Sequence, residues 1–385
     1  MHQKSYLLFL TFAWLCIFPL AAQDTLHHRK HPDFLKYFGV TPLDDTLEVH
    51  KNGLFFTPLI YYSPDTRWAF GGAGVYAFHL KDKLDITDYT RTSYVQFLAD
   101  YTQNRQTDVW ALWSIFTRKE RYYLKGELRF RNFPDRFYGI GNTSNKENEE
   151  RYSYNLFSFK SLFLKKVQDN FFLGFDYHFS SEYGFKLQEG GILETGEITG
   201  NNGGIGSALG VVAILDTRDN VINSYQGHYA EIASYYYTRY LGSTFSFTDV
   251  NGQFMKFWKV KPKHILAWQT RARLTFGDTP FLDLSTLGND DLLRGYPKNR
   301  FRDKHFIGTQ LEYRFPLFWR FGMTTFAGIG DVFERPQDLS WRNTKYSVGI
   351  GLRFLVNSSE RVNIRLDYGY GREGGYFYFA VAEAF

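Results

Sequence analysis

The sequence has little of what specifies most common fold classes. Only one of its 385 residues is cysteine, so a disulfide framework is excluded. Met, with 3 residues, and Ala are too scarce for a protein of long helices or coiled coils. Beyond the first two dozen residues, no apolar run approaches the ~18–20 residues of a membrane-spanning helix. The net charge of +5 is too small and too evenly spread to indicate a nucleic-acid partner.

Aromatic residues, in contrast, are abundant. The 39 Phe, 28 Tyr and 8 Trp provide more apolar surface than a disordered chain carries. A chain rich in Tyr, Phe, Thr and Gly favours strands over helices. The composition therefore predicts an all-β protein.

The N-terminus has the three parts of a secretory signal. Lys4 is followed by an apolar run over residues 6–20 and then by the small residues Ala21 and Ala22. We expect residues 1–23 to be a signal peptide; the alternative is an uncleaved anchor, which the short apolar run disfavours. Residues 24–53 are then expected to form a short periplasmic tail. His27, His28 and His31 could bind a metal there, but a solvated tail is the favoured interpretation.

From Leu54 onward, apolar and polar residues alternate with a period of two. Between residues 122 and 131 one parity is apolar and the other carries Lys125, Glu127, Arg129 and Arg131. In a soluble sandwich the polar parity would face water and the apolar parity a core. In a transmembrane barrel the apolar parity faces lipid and the charges face a wet lumen. Periodicity alone leaves both alternatives open.

The number of strands and the lengths of their connections favour the barrel. We count sixteen candidate strands, and an even number brings both chain ends to the periplasmic side. If the first strand rises from the periplasm, the long connections 132–150, 187–204, 277–304 and 334–341 all fall on the outer side. The prediction is one domain over residues 54–385, a 16-stranded antiparallel transmembrane β-barrel. The strands are predicted to begin near Leu54, Trp68, Ser93, Thr107, Arg121, Tyr152, Phe171, Ile205, His228, Phe245, His264, His305, Phe318, Lys345, Val362 and Tyr376.

The end of the chain supports the same prediction. The last candidate strand, 376–385, finishes on Phe385. A terminal aromatic residue on a final strand is the usual recognition signal of outer-membrane barrels. Glu383, two residues earlier, departs from the apolar residue commonly found at that position.

One motif connects the chain to a known family. The sixth outer loop contains Leu293, Arg294, Gly295 and Tyr296 in succession. This stretch resembles the arginine-glycine-aromatic motif of BamA/TamA-type outer-membrane barrels, the bacterial surface antigen superfamily, whose long sixth loop folds back into the lumen. Three further segments resemble the family: 216–227, the twelfth strand with 310–316, and 133–142, which is similar to the version found in Bacteroidetes.

The resemblance implies a lumenal partner for the loop. Glu312 shares the polar parity of the twelfth strand, so it is expected to face the lumen, where Arg294 could form a charge-assisted pair with it. In a wet lumen we expect modest stability from the pair, with fixing of the loop as its role. The alternative is that Arg294 is an ordinary solvated arginine. The family's aspartate on the thirteenth strand is replaced here by Gly328, and Asp331 lies on the opposite parity, so Glu312 is the main candidate.

The family's role is insertion of proteins into the outer membrane or transport across it. Because the residues before Leu54 are too few for a POTRA domain, we expect a barrel-only member that works with partners. The expected partners are outer-membrane lipid, periplasmic or outer-membrane assembly subunits, and unfolded client barrels. The alternative is a passive small-solute pore, a surface antigen or a structural membrane anchor. An assembly barrel should have few hydrogen bonds between its first and last strands, whereas a pore should be fully paired there.

We predict no enzymatic activity, cofactor or metal centre. The ten His are scattered, and neither H-E-x-x-H nor G-x-S-x-G occurs. Asp290 and Asp291 could bind a cation, although a solvated loop is the favoured interpretation. Alternating carboxylates and arginines fit a self-neutralising polar lumen better than acid–base catalysis.

Overall fold

The computed structural model describes residues 53–63, 67–78, 80, 90–358 and 361–385. The predicted signal peptide (1–23), the predicted tail (24–53, apart from Gly53) and its three histidines lie outside these residues. Within them, the chain is built almost wholly of antiparallel strands. The strands are β1 (Gly53–Ser63), β2 (Arg67–Phe78), β3 (Ser93–Thr102), β4 (Thr107–Phe116), β5 (Tyr122–Phe137), β6 (Glu150–Gln168), β7 (Phe171–Lys186), β8 (Gly204–Asp216), β9 (Gly227–Tyr237), β10 (Phe247–Lys261), β11 (His264–Gly277), β12 (Ser285–Leu287), β13 (Phe301–Asp303), β14 (His305–Phe318), β15 (Phe321–Phe333), β16 (Lys345–Asn357), β17 (Val362–Gly371) and β18 (Gly374–Val381).

Sixteen of the strands in the described part of the chain form one sheet, and each pairs with the next along the chain. The short strands β12 and β13 pair only with each other, inside the connection between β11 and β14. Every strand of the main sheet begins within three residues of its predicted start; β15 differs most, beginning at Phe321 rather than near Phe318. The predicted loop 132–150 is shorter than expected, because β5 and β6 stay paired as far as Phe137 and Glu150.

Helices are short. The α-helix that the described residues contain, α1 (Ile192–Thr195), is a single turn in the connection between β7 and β8. None of the helices in the described ranges is both long enough and apolar enough to cross a membrane.

The sheet has one buried face and one exposed face. On β14, Gln310 and Glu312 are buried, whereas Ile307 and Leu311 on the opposite parity are exposed. This alternation follows from the pleat of a strand, which directs successive side chains to opposite faces. The exposed face carries large apolar residues along almost every strand, and the buried face carries most of the charges.

The sheet curls so that its buried face encloses an interior. The ring of Phe257 on β10 lies 6.0 Å from that of Phe385, and Lys146 in the β5–β6 connection donates to the hydroxyl of Tyr376 on β18. No backbone pairing between β1 and β18 is found among the residues that the structure describes. We call these two strands the seam.

Because consecutive strands are antiparallel, their connections alternate between two ends of the sheet. At one end, the loop end, lie the long connections 138–149, 187–203, 278–304 and 334–344. At the other end, the turn end, most connections have two to five residues, as at 117–121, 169–170, 262–263 and 319–320. The longer connection 217–226 is also at the turn end.

Candidate functional site

Residues 278–304, the connection between β11 and β14, enter the interior of the sheet; we call them the inner loop. Apolar residues of the inner loop and of the two strands it touches form one buried cluster, which anchors the loop. The cluster consists of Leu287, Leu292, Leu293, Tyr296, Phe301, Phe306 and Val332.

Glycines let the tip of the inner loop lie directly on β17. Gly295 has a φ of 127°, which L side chains rarely adopt, and a Cβ there would lie 2.8 Å from the backbone nitrogen of Gly371. A Cβ on Gly369 would lie 2.6 Å from the carbonyl carbon of Arg294. The backbones of the loop tip and of β17 therefore approach more closely than any side chain would allow.

Arg294 is buried between two carboxylates. Its guanidinium pairs with Glu312 on β14 and, at 2.5 Å, with Asp367 on β17. All three side chains are 0% exposed. The guanidinium carbon also lies 3.6 Å from the centre of the Phe326 ring. The predicted partner Glu312 is thus in contact with Arg294. Arg294 is therefore not a solvated loop arginine. The expectation that the ion pair would lie in a wet lumen is also wrong, because the inner loop excludes solvent from it.

Asp367, the second partner of Arg294, was not predicted from the sequence. The family resemblance pointed to an aspartate on the thirteenth strand, where this chain has Gly328. In the structure Leu293 occupies that space, 3.1 Å from where a Cβ on Gly328 would be. Asp331 pairs instead with Lys345, at 2.7 Å. The inner-facing parity of Asp367 was readable from the period-two pattern of β17, but its proximity to Arg294 was not.

Further arginines extend the ion pairs toward the turn end. Glu312 also pairs with Arg314, at 3.0 Å, and Asp367 also pairs with Arg353 and with Arg365. Each carboxylate at the centre thus has two or more guanidinium partners, which compensates for its loss of hydration.

The tip of the inner loop is hydrogen-bonded to the last strand. The hydroxyl of Tyr378 on β18 accepts from the backbone N–H groups of Gly295, at 2.8 Å, and Tyr296, at 3.2 Å. The same hydroxyl donates to the carbonyl of Tyr296, at 2.8 Å. One hydroxyl has one donor and two acceptor positions, so all three are used. The inner loop is thereby linked to one side of the seam.

The chain end does not continue the last strand. β18 ends at Val381, and Ala382 adopts a φ of 71°, which turns the last residues into the interior. The ring of Phe385 packs at a tilt against that of Phe257, and the main-chain oxygen of Phe385 accepts from Arg314, at 2.9 Å. The predicted strand 376–385 is therefore too long, and Phe385 lies inside rather than on the strand. Its role as a recognition signal stays a prediction.

Buried polar contacts account for a glutamate at position 383, where an apolar residue was expected. Its carboxylate accepts from Arg353, at 2.8 Å, and from the side-chain amide of Asn363, at 2.6 Å. Burial alone would raise the pKa of Glu383, but the charges of Arg353 and Arg314 outweigh burial and hold the pKa below 4.5. An apolar side chain at this position would leave Arg353 with one partner fewer.

Replacing Glu383 by Gln should loosen the chain end, because Arg353 and Arg314 would lose a carboxylate. We expect a loss of about 1–3 kcal/mol in the free energy of unfolding. Because the folded-state pKa of Glu383 is lowered, its contribution is present above pH 4.5 and disappears as the pH falls through the folded-state pKa. Urea unfolding of the native chain and of Glu383→Gln, at neutral and at acidic pH, measures this contribution. If the two proteins differed in free energy of unfolding by the same amount at both pH values, the prediction would be contradicted.

Other charged groups of the inner loop are paired or buried. Asp290 pairs with Arg365 and Asp291 with Arg271, at 2.8 and 2.9 Å, so neither has the environment of a free cation ligand. In the described ranges no group of three or more metal-ligating side chains is found. Burial raises the pKa of Asp283 and lowers that of Lys298, in keeping with a loop that is shielded from water.

Comparison with known proteins agrees with this geometry. Among solved structures the chain is similar to BamA from Haemophilus ducreyi lacking POTRA domains 1–3, with a TM-score of 0.55 and 13% identity over 86% of this chain and 70% of that chain. CdiB from Acinetobacter baumannii gives a TM-score of 0.54 at 9% identity, covering 87% and 60%. CdiB from Escherichia coli gives 0.53 at 10% identity, covering 86% and 62%. At such identities these likenesses concern the fold alone.

The comparison with curated proteins found no match. The Omp85 superfamily domain, in contrast, matches residues 55–385, which include every strand of the main sheet except the first two residues of β1. On that match, the chain belongs to the Omp85 superfamily.

Proposed function

We propose that this protein is an outer-membrane barrel that assists the insertion of proteins into the outer membrane or their transport across it, together with partner subunits. Superfamily membership supports the location and the general role. The proposal assigns the chain no catalytic step. Its clients are unfolded barrel chains or exported proteins, and its partners are assembly subunits that deliver them.

The observation that carries the proposal is the seam. Each strand of the main sheet is paired with its neighbours along the chain, whereas no described residue pairs β1 with β18. In a membrane, every unpaired backbone N–H and C=O group costs free energy, so a permanent open edge is strongly disfavoured. An edge kept unpaired can instead accept a strand from a client chain, which would satisfy both partners.

The interior argues against a passive pore. The inner loop occupies it from the loop end, and the last residues of the chain, 382–385, turn into it from the turn end. A pore for small solutes needs a continuous wet path. Here buried apolar clusters surround both the inner loop and residues 382–385, so solutes could pass only if both segments left the interior.

Closing the seam covalently tests the proposal. Phe56 on β1 and Phe379 on β18 are both exposed on the outer face, and the single native cysteine, Cys16, lies in the predicted signal peptide. We expect a Phe56→Cys/Phe379→Cys protein, crosslinked through disulfides by a short bis-methanethiosulfonate reagent, to lose at least tenfold in the rate at which it assists folding of a client barrel in vesicles with its partner subunits. Cleavage of the crosslink should restore the rate.

A crosslink between paired strands provides the control. Leu366 on β17 faces Phe379 directly in the antiparallel register and is also exposed. Crosslinking Leu366→Cys/Phe379→Cys should leave the assembly rate unchanged, since this pair of strands has no reason to separate. If the seam crosslink proved equally harmless, a role that requires β1 and β18 to separate would be excluded, and the structural-anchor alternative would be favoured.

A further inference from the structure

The turn between β10 and β11 carries a concentration of positive charge. Lys256, Lys259, Lys261 and Lys263 fall within eight residues, at the turn end of the sheet. None of the four forms an ion pair with a carboxylate in the described part of the chain. At the turn between β6 and β7, in contrast, Lys166 pairs with Asp169 at 3.2 Å.

An apolar groove lies on the outer face beside this turn. It has a volume of about 600 Å³, and its lining is almost entirely apolar. Its lining includes Trp258, Trp268 and Tyr346 and the small residues Ala327 and Gly328. Behind the same wall, on the inner face, a Cβ on Gly328 would lie 3.1 Å from Leu293 of the inner loop.

The strand register joins the charge to the groove. Lys256 pairs with Trp268, Trp268 with Leu311, Leu311 with Ala327 and Ala327 with Val348. These five residues form one row across the outer face, with the ammonium group at one end and the groove along the rest. Met255 and Phe257, on either side of Lys256, are buried inside, so Lys256 points outward.

An outward-facing lysine within an apolar band is costly unless its ammonium group reaches water or an anion. The flexible stem of Lys256 can follow the apolar surface and carry its ammonium toward the headgroup region at the turn end. The three lysines nearer the turn are exposed there. Trp258 and Trp319, both exposed at this end, have the amphipathic character of residues at a membrane–water interface.

We propose that the outer face of β10, β11, β14 and β15 is a binding site for an anionic phospholipid of the periplasmic leaflet. The phosphate lies among Lys256, Lys261 and Lys263, and one acyl chain lies in the groove over Ala327. Lys259 is not part of the site, because it shares the inward parity of Met255 and Phe257 and pairs with the buried Ile265. Charge complementarity and the register of the row support this assignment. It does not depend on the assembly role proposed above.

Native mass spectrometry of the full chain in detergent tests the site. Phosphatidylglycerol and phosphatidylcholine with identical acyl chains are titrated separately, so that only the headgroup charge differs. We expect the first phosphatidylglycerol to bind about tenfold more tightly than phosphatidylcholine, because lysines near a membrane surface attract anionic lipids. A Lys256→Gln/Lys261→Gln protein should lose most of this preference, and Ala327→Phe, which fills the groove, should weaken phosphatidylglycerol binding with the lysines intact.

The control removes the same charge from another turn. Lys165→Gln/Lys166→Gln lies at the end of β6, where Lys165 is also exposed, and should keep the tenfold preference. Circular dichroism and heat-dependent electrophoretic mobility establish that each variant is folded. Equal binding of the two lipids by the native chain, an unchanged preference in the Lys256→Gln/Lys261→Gln protein, or no effect of Ala327→Phe would overturn the proposal.

Discussion

Replacing Arg294 by Ala should lower the free energy of unfolding by about 3–5 kcal/mol, the usual cost of leaving a buried charge without its partner. Arg294, Glu312 and Asp367 are all 0% exposed, so water cannot replace the lost guanidinium. Glu312 would keep Arg314, and Asp367 would keep Arg353 and Arg365, which limits the loss to one shared cation.

The measurement is urea unfolding of the barrel in lipid vesicles, followed by tryptophan fluorescence. Arg294→Lys is the conservative variant: an ammonium is a point charge that cannot form the planar fork between two carboxylates, so we expect a partial loss. A second variant separates charge from packing. In Arg294→Ala/Glu312→Gln, one of the two carboxylates that lost the shared cation becomes neutral, so the double variant should be more stable than Arg294→Ala alone. Equal stability of the native chain and Arg294→Ala would show that the ion pairs contribute nothing net.

Replacing Gly369 by Ala should detach the tip of the inner loop. The new Cβ would lie 2.6 Å from backbone atoms of Arg294, and backbone cannot rotate away as a side chain can. With the tip displaced, the hydrogen bonds from Gly295 and Tyr296 to the Tyr378 hydroxyl would break, and β18 would lose its contact with the loop.

Trypsin reports this displacement directly. The Arg294–Gly295 bond is inaccessible while Arg294 is buried, so we expect cleavage there to be at least tenfold faster in Gly369→Ala than in the native chain. Gly252→Ala on β10 is the matched control, because nothing lies within 4 Å of a Cβ at that position. Unchanged cleavage in Gly369→Ala would mean that the loop tip tolerates a side chain on β17, contrary to the close backbone approach seen here.

Local pattern was sufficient for the strands. The period of two and the turn residues place each strand start within three residues, because alternation and turn chemistry are properties of neighbouring residues. The motif at Arg294 and the inner parity of Glu312 were likewise local signals. The residues of the sheet's exposed face could be predicted for the same reason, since one parity of each strand is apolar.

What the sequence by itself determined is therefore the all-β class, the order of the strands and the face of each side chain, whereas the pairing of Arg294 with Glu312 was implied by the resemblance to the family. Tertiary structure decided the rest: Asp367 as the second partner, the inward turn of the chain at Ala382, the Tyr378 contact with the inner loop and the unpaired seam. These features join residues far apart in the chain, some on strands that are not neighbours in the sheet. Their proximity depends on how the whole sheet curls, and no local pattern encodes that curvature.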